Sequence, residues 1–536
     1  MPAAINALIK KNKNLKNCST AIWVCCVWLV ISACKTTKKI SKTADNQGVP
    51  PKREFRAVWV ATVDNIDWPS KKTLLPSEQR DEFKAILDSH KKTGINAVLV
   101  QVRAAADAFY AKGSEPWSEW LTGKQGLAPS PAYDPLEFMV EETHQRGMEF
   151  HAWLNLNRVA HKVSKSIAPS SIGKKHPEWV LDYDGYRLFN FGLPEVRNYI
   201  TEVTVNIVAN YDIDGVHFDD YFYPYTAANQ TLKDEAAFKK YAGRFTDKDD
   251  WRRNNVDLLI KQIADAITAT KPHVKFGVSP FGVWRNQKDD ATGSATQAGQ
   301  TSYDNLYADT RKWLKAGWID YMVPQIYFTR KFDKVPFENL TTWWTKNAFN
   351  RHLYIGQAAY RVGGAKEKDP QWADPTELPA QVRFIRSFQE ITGSVYFSSK
   401  SLINNKLGHA DSLKNDLYRF PALIPTMPWK DNVPPLIPVN VTITNTANGP
   451  MLTWTAPPPA RDGDQPAYYV VYRFDEKETP NTQDPRKIMG ICKKDAFIFT
   501  DKTTQANKRY LYALTAVDRL HNESEAVKLV ARTEKK

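Results

Sequence analysis

The chain of 536 residues is too long for one ordinary domain, and its composition, 42% hydrophobic and 25% charged, excludes an extensively disordered protein. The formal net charge is +14 at pH 7, yet no compact Lys/Arg block with interleaved aromatic residues occurs, which argues against nucleic acid as a partner. A basic chain of this kind suits an acidic polymer or a negatively charged membrane surface.

The first 33 residues are typical of an export signal. A group of lysines between Lys10 and Lys16 precedes an apolar run, Ala21 to Ala33, that is too short for an ordinary membrane span. The run ends in Ile31-Ser32-Ala33-Cys34, which resembles a bacterial lipobox and implies cleavage before Cys34 and lipidation of its thiol. We therefore expect a lipid-anchored protein of the bacterial cell envelope, at the outer membrane and facing the periplasm. Residues 34–53, rich in Lys, Thr and Ser, are predicted to form a flexible tether.

Few residues are available to bind a metal or a cofactor. Three of the five cysteines lie in the signal and Cys34 would carry lipid, which leaves only Cys492 and excludes a disulfide framework and thiolate zinc sites. Neither a His-x-x-x-His spacing nor a glycine-rich phosphate-binding fingerprint occurs. We expect no cofactor and no metal.

Eight short apolar runs with high β-propensity follow one another between residues 54 and 420, and most of the segments between them have helical periodicity. This pattern predicts an α/β fold, a parallel (β/α)₈ barrel (TIM barrel), over residues 54–420, with a doubly wound open sheet as the alternative. The eight runs are Arg56 to Val63, Ala97 to Val102, Glu149 to Asn155, Gly215 to Phe222, Lys275 to Gly282, Tyr321 to Tyr327, Leu353 to Tyr360 and Gly393 to Ser399.

The loops predict which end of this barrel is functional. Connections from helix to strand are short, whereas several connections from strand to helix are long, such as Arg103 to Tyr133 and Asn157 to Gly192. In such barrels the loops that follow the strands carry the active site, so we expect the site at the C-terminal end of the barrel.

A second domain is predicted after the barrel. Residues 421–434 are interpreted as a Pro-rich linker, and residues 435–536 contain short strands separated by turn residues. This region resembles a fibronectin type III module, with Trp454, Tyr472 and Tyr510 at positions that such modules use for their core. The resemblance implies an all-β sandwich whose function is spacing or docking rather than chemistry.

The densest polar cluster on a predicted strand lies at the end of the fourth run, between Asp214 and Pro224. Alternation places His217, Asp219 and Tyr221 on one face, so Asp219 is expected to point into the barrel mouth. A carboxylate buried there needs partners or a function. Asp219 is therefore a candidate catalytic residue.

Hydrolysis of a glycosidic bond usually requires a second carboxyl group, one acting as acid and the other as nucleophile or base. Asp220, next in the chain, and Asp107, directly after the second strand, are equal candidates for this partner. Glu115, in the same loop as Asp107, ranks behind them, and Glu119 is also considered.

Other polar and aromatic side chains at the strand ends suit a polyhydroxylated ligand, which offers both hydroxyl groups and apolar ring faces. The predicted substrate-binding residues are His217, Tyr221, His151, Asn155, Arg103, Trp68, Gln325, Tyr327 and Trp284.

Five segments together resemble the glycosyl-hydrolase-like family 10 barrel, over about Glu54 to Tyr418. They are Arg56 to Pro69, Gln101 to Tyr110, His151 to Asn155, Asp214 to Pro224 and Pro324 to Tyr327. The resemblance implies a glycoside hydrolase of the cell envelope that acts on peptidoglycan glycan strands lacking stem peptides. Compared with barrel glycosidases that carry an acid on a later strand, this chain has Gln325 at the sixth strand, which leaves the acid unassigned.

Two other functions are compatible with the same residues. A non-catalytic glycan-binding scaffold would keep the aromatic residues without needing paired acids, and a glycosidase for another polysaccharide would share the site and differ in substrate. Hydrolysis of purified glycans distinguishes the three.

Overall fold

A computed structural model of the chain describes residues 49–505 and 507–532. The predicted export signal, Cys34 and most of the predicted tether lie outside the described residues. The strands are β1 Phe55–Val60, β2 Ala97–Arg103, β3 Glu149–Leu154, β4 Arg158–Ala160, β5 Val180–Tyr183, β6 Tyr186–Phe189, β7 Gly215–Phe218, β8 Lys275–Val278, β9 Tyr321–Met322, β10 His352–Gln357, β11 Ile391–Tyr396, β12 Val439–Thr446, β13 Gly449–Thr455, β14 Tyr468–Asp475, β15 Ile488–Lys493, β16 Ile498–Thr500, β17 Arg509–Val517 and β18 Val527–Arg532.

The α-helices lie mainly between the barrel strands. They are α1 Pro76–Thr93, α2 Glu119–Thr122, α3 Pro135–Gln145, α4 Ile172–Lys175, α5 Pro194–Asn210, α6 Glu235–Tyr241, α7 Lys248–Thr270, α8 Thr310–Lys315, α9 Phe337–Thr345, α10 Glu377–Ile385, α11 Ser399–Asn404 and α12 His409–Ser412. Shorter helical turns lie at Val63–Asn65, Pro177–Trp179, Ala359–Arg361, Pro370–Ala373, Lys406–Gly408, Leu413–Leu417 and Pro485–Lys487. None of the helices in the described part of the chain is long and apolar enough to cross a membrane.

Eight strands close into a barrel in the order β1, β2, β3, β7, β8, β9, β10, β11, and every neighbouring pair is parallel. The predicted (β/α)₈ barrel is therefore confirmed, and the open sheet is excluded. Each of the eight predicted runs overlaps one barrel strand, but most strands end earlier than predicted. The fourth run, for example, is a strand only as far as Phe218, because the chain then turns across the barrel mouth.

Alternation along the strands separates two apolar layers. One layer packs inside the barrel and includes Trp59, Leu99, Trp153 and Tyr354. The other lies between the strands and the surrounding helices and includes Val216 and Phe218 of β7, as the period of two predicts.

Two glycines of the barrel make room for large polar side chains. A Cβ atom on Gly277 would lie 2.0 Å from the ring of Tyr321, and one on Gly215 would lie 2.4 Å from Nδ1 of His151. Larger residues would push these rings out of the barrel axis. The small residues therefore fix where the polar groups of the interior lie.

The segment predicted as a linker packs against the barrel. Leu423 bridges to Arg53 beside β1, and Ile424 and Met427 join the apolar cluster inside the barrel. The indole NH of Trp429 donates to Asp320, just before β9. Residues of this segment thus cover the N-terminal end of the barrel, opposite the end where the strands lead into long loops.

After this segment the chain forms two antiparallel sheets, one of three strands (β12, β13, β16) and one of four (β15, β14, β17, β18). They enclose a core that contains Trp454, Tyr469 and Tyr512. The predicted all-β character of the C-terminal region is confirmed. The closer resemblance to a fibronectin type III module stays a prediction, as do the predicted domain boundaries.

Candidate active site

Asp219 follows the last residue of β7, and its carboxylate points into the barrel mouth. Its Oδ2 atom accepts hydrogen bonds from the Trp153 indole NH at 3.0 Å and from the Asn155 amide at 3.0 Å. Both donors stand on the inward face of the neighbouring strand β3 and its continuation. Burial raises the pKa of Asp219, while the charge of Arg158 and these two hydrogen bonds oppose the rise.

Asp220 is buried beside Asp219 and has a different electrostatic environment. Burial, followed by the negative charge of Asp219, raises the pKa of Asp220 to about 7. The hydroxyl of Tyr225 donates a hydrogen bond to its Oδ2 atom and opposes the rise. The two carboxyl groups thus have different partners, as a site that combines an acid and a base requires.

His217 lies one step deeper in the barrel, under Asp219, and is completely buried. Its Nε2 atom accepts from the Trp59 indole at 3.1 Å and contacts Ser279 Oγ at 2.9 Å, and its Nδ1 atom contacts the Tyr321 hydroxyl at 3.2 Å. Burial lowers the pKa of His217 well below its usual range, so the ring is neutral. His217 thus supports the floor of the site, and its predicted contact with substrate is corrected, since both ring nitrogens are occupied.

Arg103 and Asn155 form a supporting layer beside the acid pair. Arg103 makes a bidentate salt bridge of 2.7 Å to Glu115 and donates to the backbone carbonyl of Asn155. Asn155 in turn donates to Asp219 and accepts from the backbone NH of Arg158. Arg103 is buried and was predicted to contact substrate, but it instead holds the end of β3 in place.

Asp107 lies apart from this arrangement. Its Oδ1 atom accepts from the backbone NH of Ala105 at 3.0 Å, and its Oδ2 atom accepts from Ser118 Oγ at 2.6 Å. Burial raises its pKa to about 6, with Glu115 and Arg103 as its charged neighbours. Because both oxygens bind the loop that carries it, Asp107 organises that loop, and Asp220 is the candidate that lies beside Asp219.

The two glutamates considered with Asp107 are also engaged in contacts within the protein. Glu115 is paired with Arg103 and accepts from the Tyr199 hydroxyl at 2.8 Å. Glu119 is buried and accepts from the backbone NH of Lys165. Neither side chain is available as a catalytic acid.

Three further residues predicted to contact substrate are buried elsewhere, and these predictions are corrected. Trp68 is fully buried against Phe83, and its indole NH donates to a backbone carbonyl. His151 lies lower in the barrel, between Glu149 and Tyr321. Trp284 stacks in the layer outside the strands and bonds Asp309. Sequence alternation or loop position cannot distinguish such packed residues from exposed ones.

The remaining predicted residues lie at the mouth of the barrel. Tyr221 lines a cavity of about 190 Å³, together with Arg158 and Tyr225. Tyr327 is half-buried and lies close enough to Asp220 to interact with it electrostatically. Gln325 is half-buried and donates to the Ser279 carbonyl at 2.8 Å. These groups surround the acid pair as a substrate-binding site requires.

Two residues of the site were missed in the sequence. Trp153 could have been found, because it alternates with His151 and Asn155 and must share their inward face. Tyr225 lies beyond the strand in an irregular loop, where periodicity gives no direction, so its hydrogen bond to Asp220 was not predictable.

Comparisons with known proteins agree with this architecture. The model of the family described as glycosyl hydrolase-like 10 matches residues 54–374. The glycosyl hydrolase YngK of Bacillus subtilis (strain 168) is 47% identical over 483 residues, covering 89% of this chain and 93% of that protein. The glycosyl hydrolase DigH of Escherichia coli (strain K12) is 35% identical over 419 residues, covering 73% of this chain and 94% of that protein.

Among solved structures, the glycoside hydrolase domain of PgaB (BpsB) from Bordetella bronchiseptica matches with a TM-score of 0.45 and 13% identity. The match covers 68% of this chain and 99% of that one. The family model covers more than half of the chain, and the curated relatives are matched over nearly their whole length. The chain belongs to the glycosyl hydrolase-like 10 family and is a glycoside hydrolase.

Proposed function

We propose that this glycoside hydrolase acts in the bacterial cell envelope and cleaves peptidoglycan glycan strands that lack stem peptides. The export signal and the lipobox-like Ile31-Ser32-Ala33-Cys34 segment support an envelope location with a lipid on Cys34, at the outer membrane and facing the periplasm. The net charge is +14 for the whole chain and +10 without the four lysines of the signal, and this positive charge favours an acidic polymer as substrate. The family resemblance of the barrel motifs supports the same substrate class.

In the proposed reaction Asp220 acts as the general acid. With a pKa of about 7 it holds a proton at mildly acidic pH and delivers it to the oxygen of the leaving sugar. Asp219 supplies the carboxylate that faces the positive charge developing on the sugar ring, as nucleophile or as base toward water. The hydrogen bonds from Trp153 and Asn155 favour its ionised form and orient it.

One observation carries this proposal: two adjacent, buried carboxyl groups at the tip of β7 have different partners, the Trp153 and Asn155 donors for Asp219 and the Tyr225 hydroxyl for Asp220. Different surroundings allow two carboxyl groups of one site to serve as proton donor and as carboxylate. A scaffold that only binds glycan has no need for such a pair.

A panel of purified glycans tests the substrate. Peptide-free peptidoglycan strands, strands that retain stem peptides and unrelated neutral polysaccharides are incubated with the enzyme, and the products are analysed by mass spectrometry. We expect fragments from the peptide-free strands at a rate at least about ten times that for the others. Faster release from another polysaccharide would reassign the substrate, and binding of strands without any release would favour the scaffold function.

A further inference from the structure

Arg158 is a buried cation whose guanidinium contacts aromatic rings but has no hydrogen-bonded or ion-paired partner among the described residues. Arg158 is only 5% exposed. Within residues 49–505 and 507–532, the guanidinium makes no salt bridge and no hydrogen bond, and it lies 3.9 Å from the centre of the Tyr221 ring. Asp219 and Asp220 act on it only through longer-range electrostatics. Burying a charge in this way is costly unless a ligand completes its coordination.

Arg158 also lines a cavity. The cavity, of about 190 Å³, lies at the barrel mouth, and its other lining residues include Lys162, Asp184, Tyr183, Tyr186, Tyr221 and Tyr225. Lys162 adds a second positive charge, and its carboxylate neighbour, Asp184, lies 3.7 Å away with its side chain half-exposed. The cavity thus presents two cationic groups and one carboxylate, that of Asp184, among aromatic rings.

The cavity lies next to the acid pair. Tyr225, which lines the cavity, donates a hydrogen bond to Asp220. Tyr221 follows Asp220 in the chain, and the Arg158 guanidinium packs against its ring. The cavity lined by Arg158 is therefore adjacent to the acid pair.

We propose that Arg158, assisted by Lys162, binds a carboxylate carried by the sugar next to the scissile bond, and so determines which glycans are cleaved. A guanidinium pairs with a carboxylate through two parallel hydrogen bonds, and the Tyr221 ring holds its plane in position. This inference rests on the proposed hydrolase function. In peptidoglycan the group would be the lactyl carboxylate of N-acetylmuramic acid.

The test compares two matched substrates, peptide-free glycan strands with free lactyl carboxylates and the same strands with these groups converted to amides. For the wild type we expect a kcat/KM that is about 10 to 100 times higher for the carboxylate form. The Arg158→Gln variant is expected to reduce this ratio to near one, mainly by raising KM for the carboxylate form, and Arg158→Lys is expected to retain part of it.

The ratio of kcat/KM for the two substrates shows whether Arg158 binds the substrate carboxylate or only supports the acid pair. If Arg158 serves only to keep Asp219 ionised, the replacement slows both substrates equally and the ratio is unchanged, which would overturn the inference. Lys175→Met is the matched control, since Lys175 is an exposed residue of the same insertion that does not line the cavity. It should leave the ratio as in the wild type.

Failure of the hydrolase function is recognised separately. If the wild type cleaves neither substrate, the proposed function is contradicted, and calorimetric binding of the two glycan forms then decides the inference. Tighter binding of the carboxylate form that is lost in Arg158→Gln supports it, and equal or absent binding of both forms refutes it.

Discussion

At the scale of single residues, the site depends on how the surroundings of two neighbouring aspartates affect the pKa of each. Asp219 receives two hydrogen bonds and the field of Arg158, all of which favour its charged form. Asp220 is buried next to that charge and receives only the Tyr225 hydroxyl as a strong donor. The two aspartates thus have different electrostatic surroundings, which is the basis of the separate roles proposed for them.

The raised pKa of Asp220 predicts the pH dependence of the enzyme. The acid form of Asp220 is lost as the pH rises through about 7, so kcat/KM should fall above that value. The Tyr225 hydrogen bond favours ionised Asp220, and its removal in Tyr225→Phe should raise this pKa and move the alkaline limb upward by up to about one pH unit. The measurement is kcat/KM against pH for both proteins, and an alkaline limb that stays in place or moves downward would contradict the assignment of Asp220 as the acid.

At the scale of elements, strands β3 and β7 build the site together. β7 presents His217 and Asp219, and β3 with its continuation presents Trp153 and Asn155 at matching height. Arg103, at the end of β2, holds the Asn155 backbone. Three neighbouring parallel strands thus fix the direction of one carboxylate.

The contribution of β3 is tested by Asn155→Ala. Loss of this donor should raise the pKa of Asp219, shift the acid limb of the pH profile to higher pH and lower kcat about 10 to 100 times. Asn198→Ala, on the exposed side of α5, serves as the matched control and should behave as the wild type. An acid limb identical in Asn155→Ala and wild type would show that Asn155 does not control Asp219.

The fold was more predictable than the site, for a physical reason that particular residues illustrate. Side chains alternate between the two faces of a strand, which is a local property of the chain. The inward directions of His217 and Asp219 therefore followed from the sequence. Burial and pairing depend on distant segments. Trp68 and Trp284 are of the residue type that stacks on sugars, but both are buried in the apolar layer outside the strands. Asp107 accepts hydrogen bonds from its own loop.

At the scale of the whole molecule, the C-terminal region is docked on the N-terminal end of the barrel through buried charges. Glu149, at the start of β3, accepts from His521 at 2.6 Å and forms a salt bridge with Lys275 at the start of β8. Burial raises the pKa of Glu149, but Lys275 and His521 hold it well below its usual range. Arg519 extends the contact to Asp212 at 2.6 Å.

Removal of one partner from this cluster should destabilise the protein. In Lys275→Met, Glu149 would keep a buried charge with less compensation, and we expect the free energy of unfolding to fall by about 3 kcal/mol. Urea unfolding measures the change. Lys261→Met, which breaks an exposed pair with Asp265 on α7, is the control and should cost well under about 1 kcal/mol. Equal effects of the two replacements would mean that the buried cluster does not support the docking.

The most direct test of the catalytic assignment is the release of fragments from peptide-free glycan strands by the wild type and by Asp219→Asn. The variant is nearly isosteric, so we expect its unfolding transition and glycan binding to be retained while the rate of release falls by a factor of about 10³ or more. Release at the rate of the wild type would remove Asp219 from the mechanism and contradict the account of the acid pair.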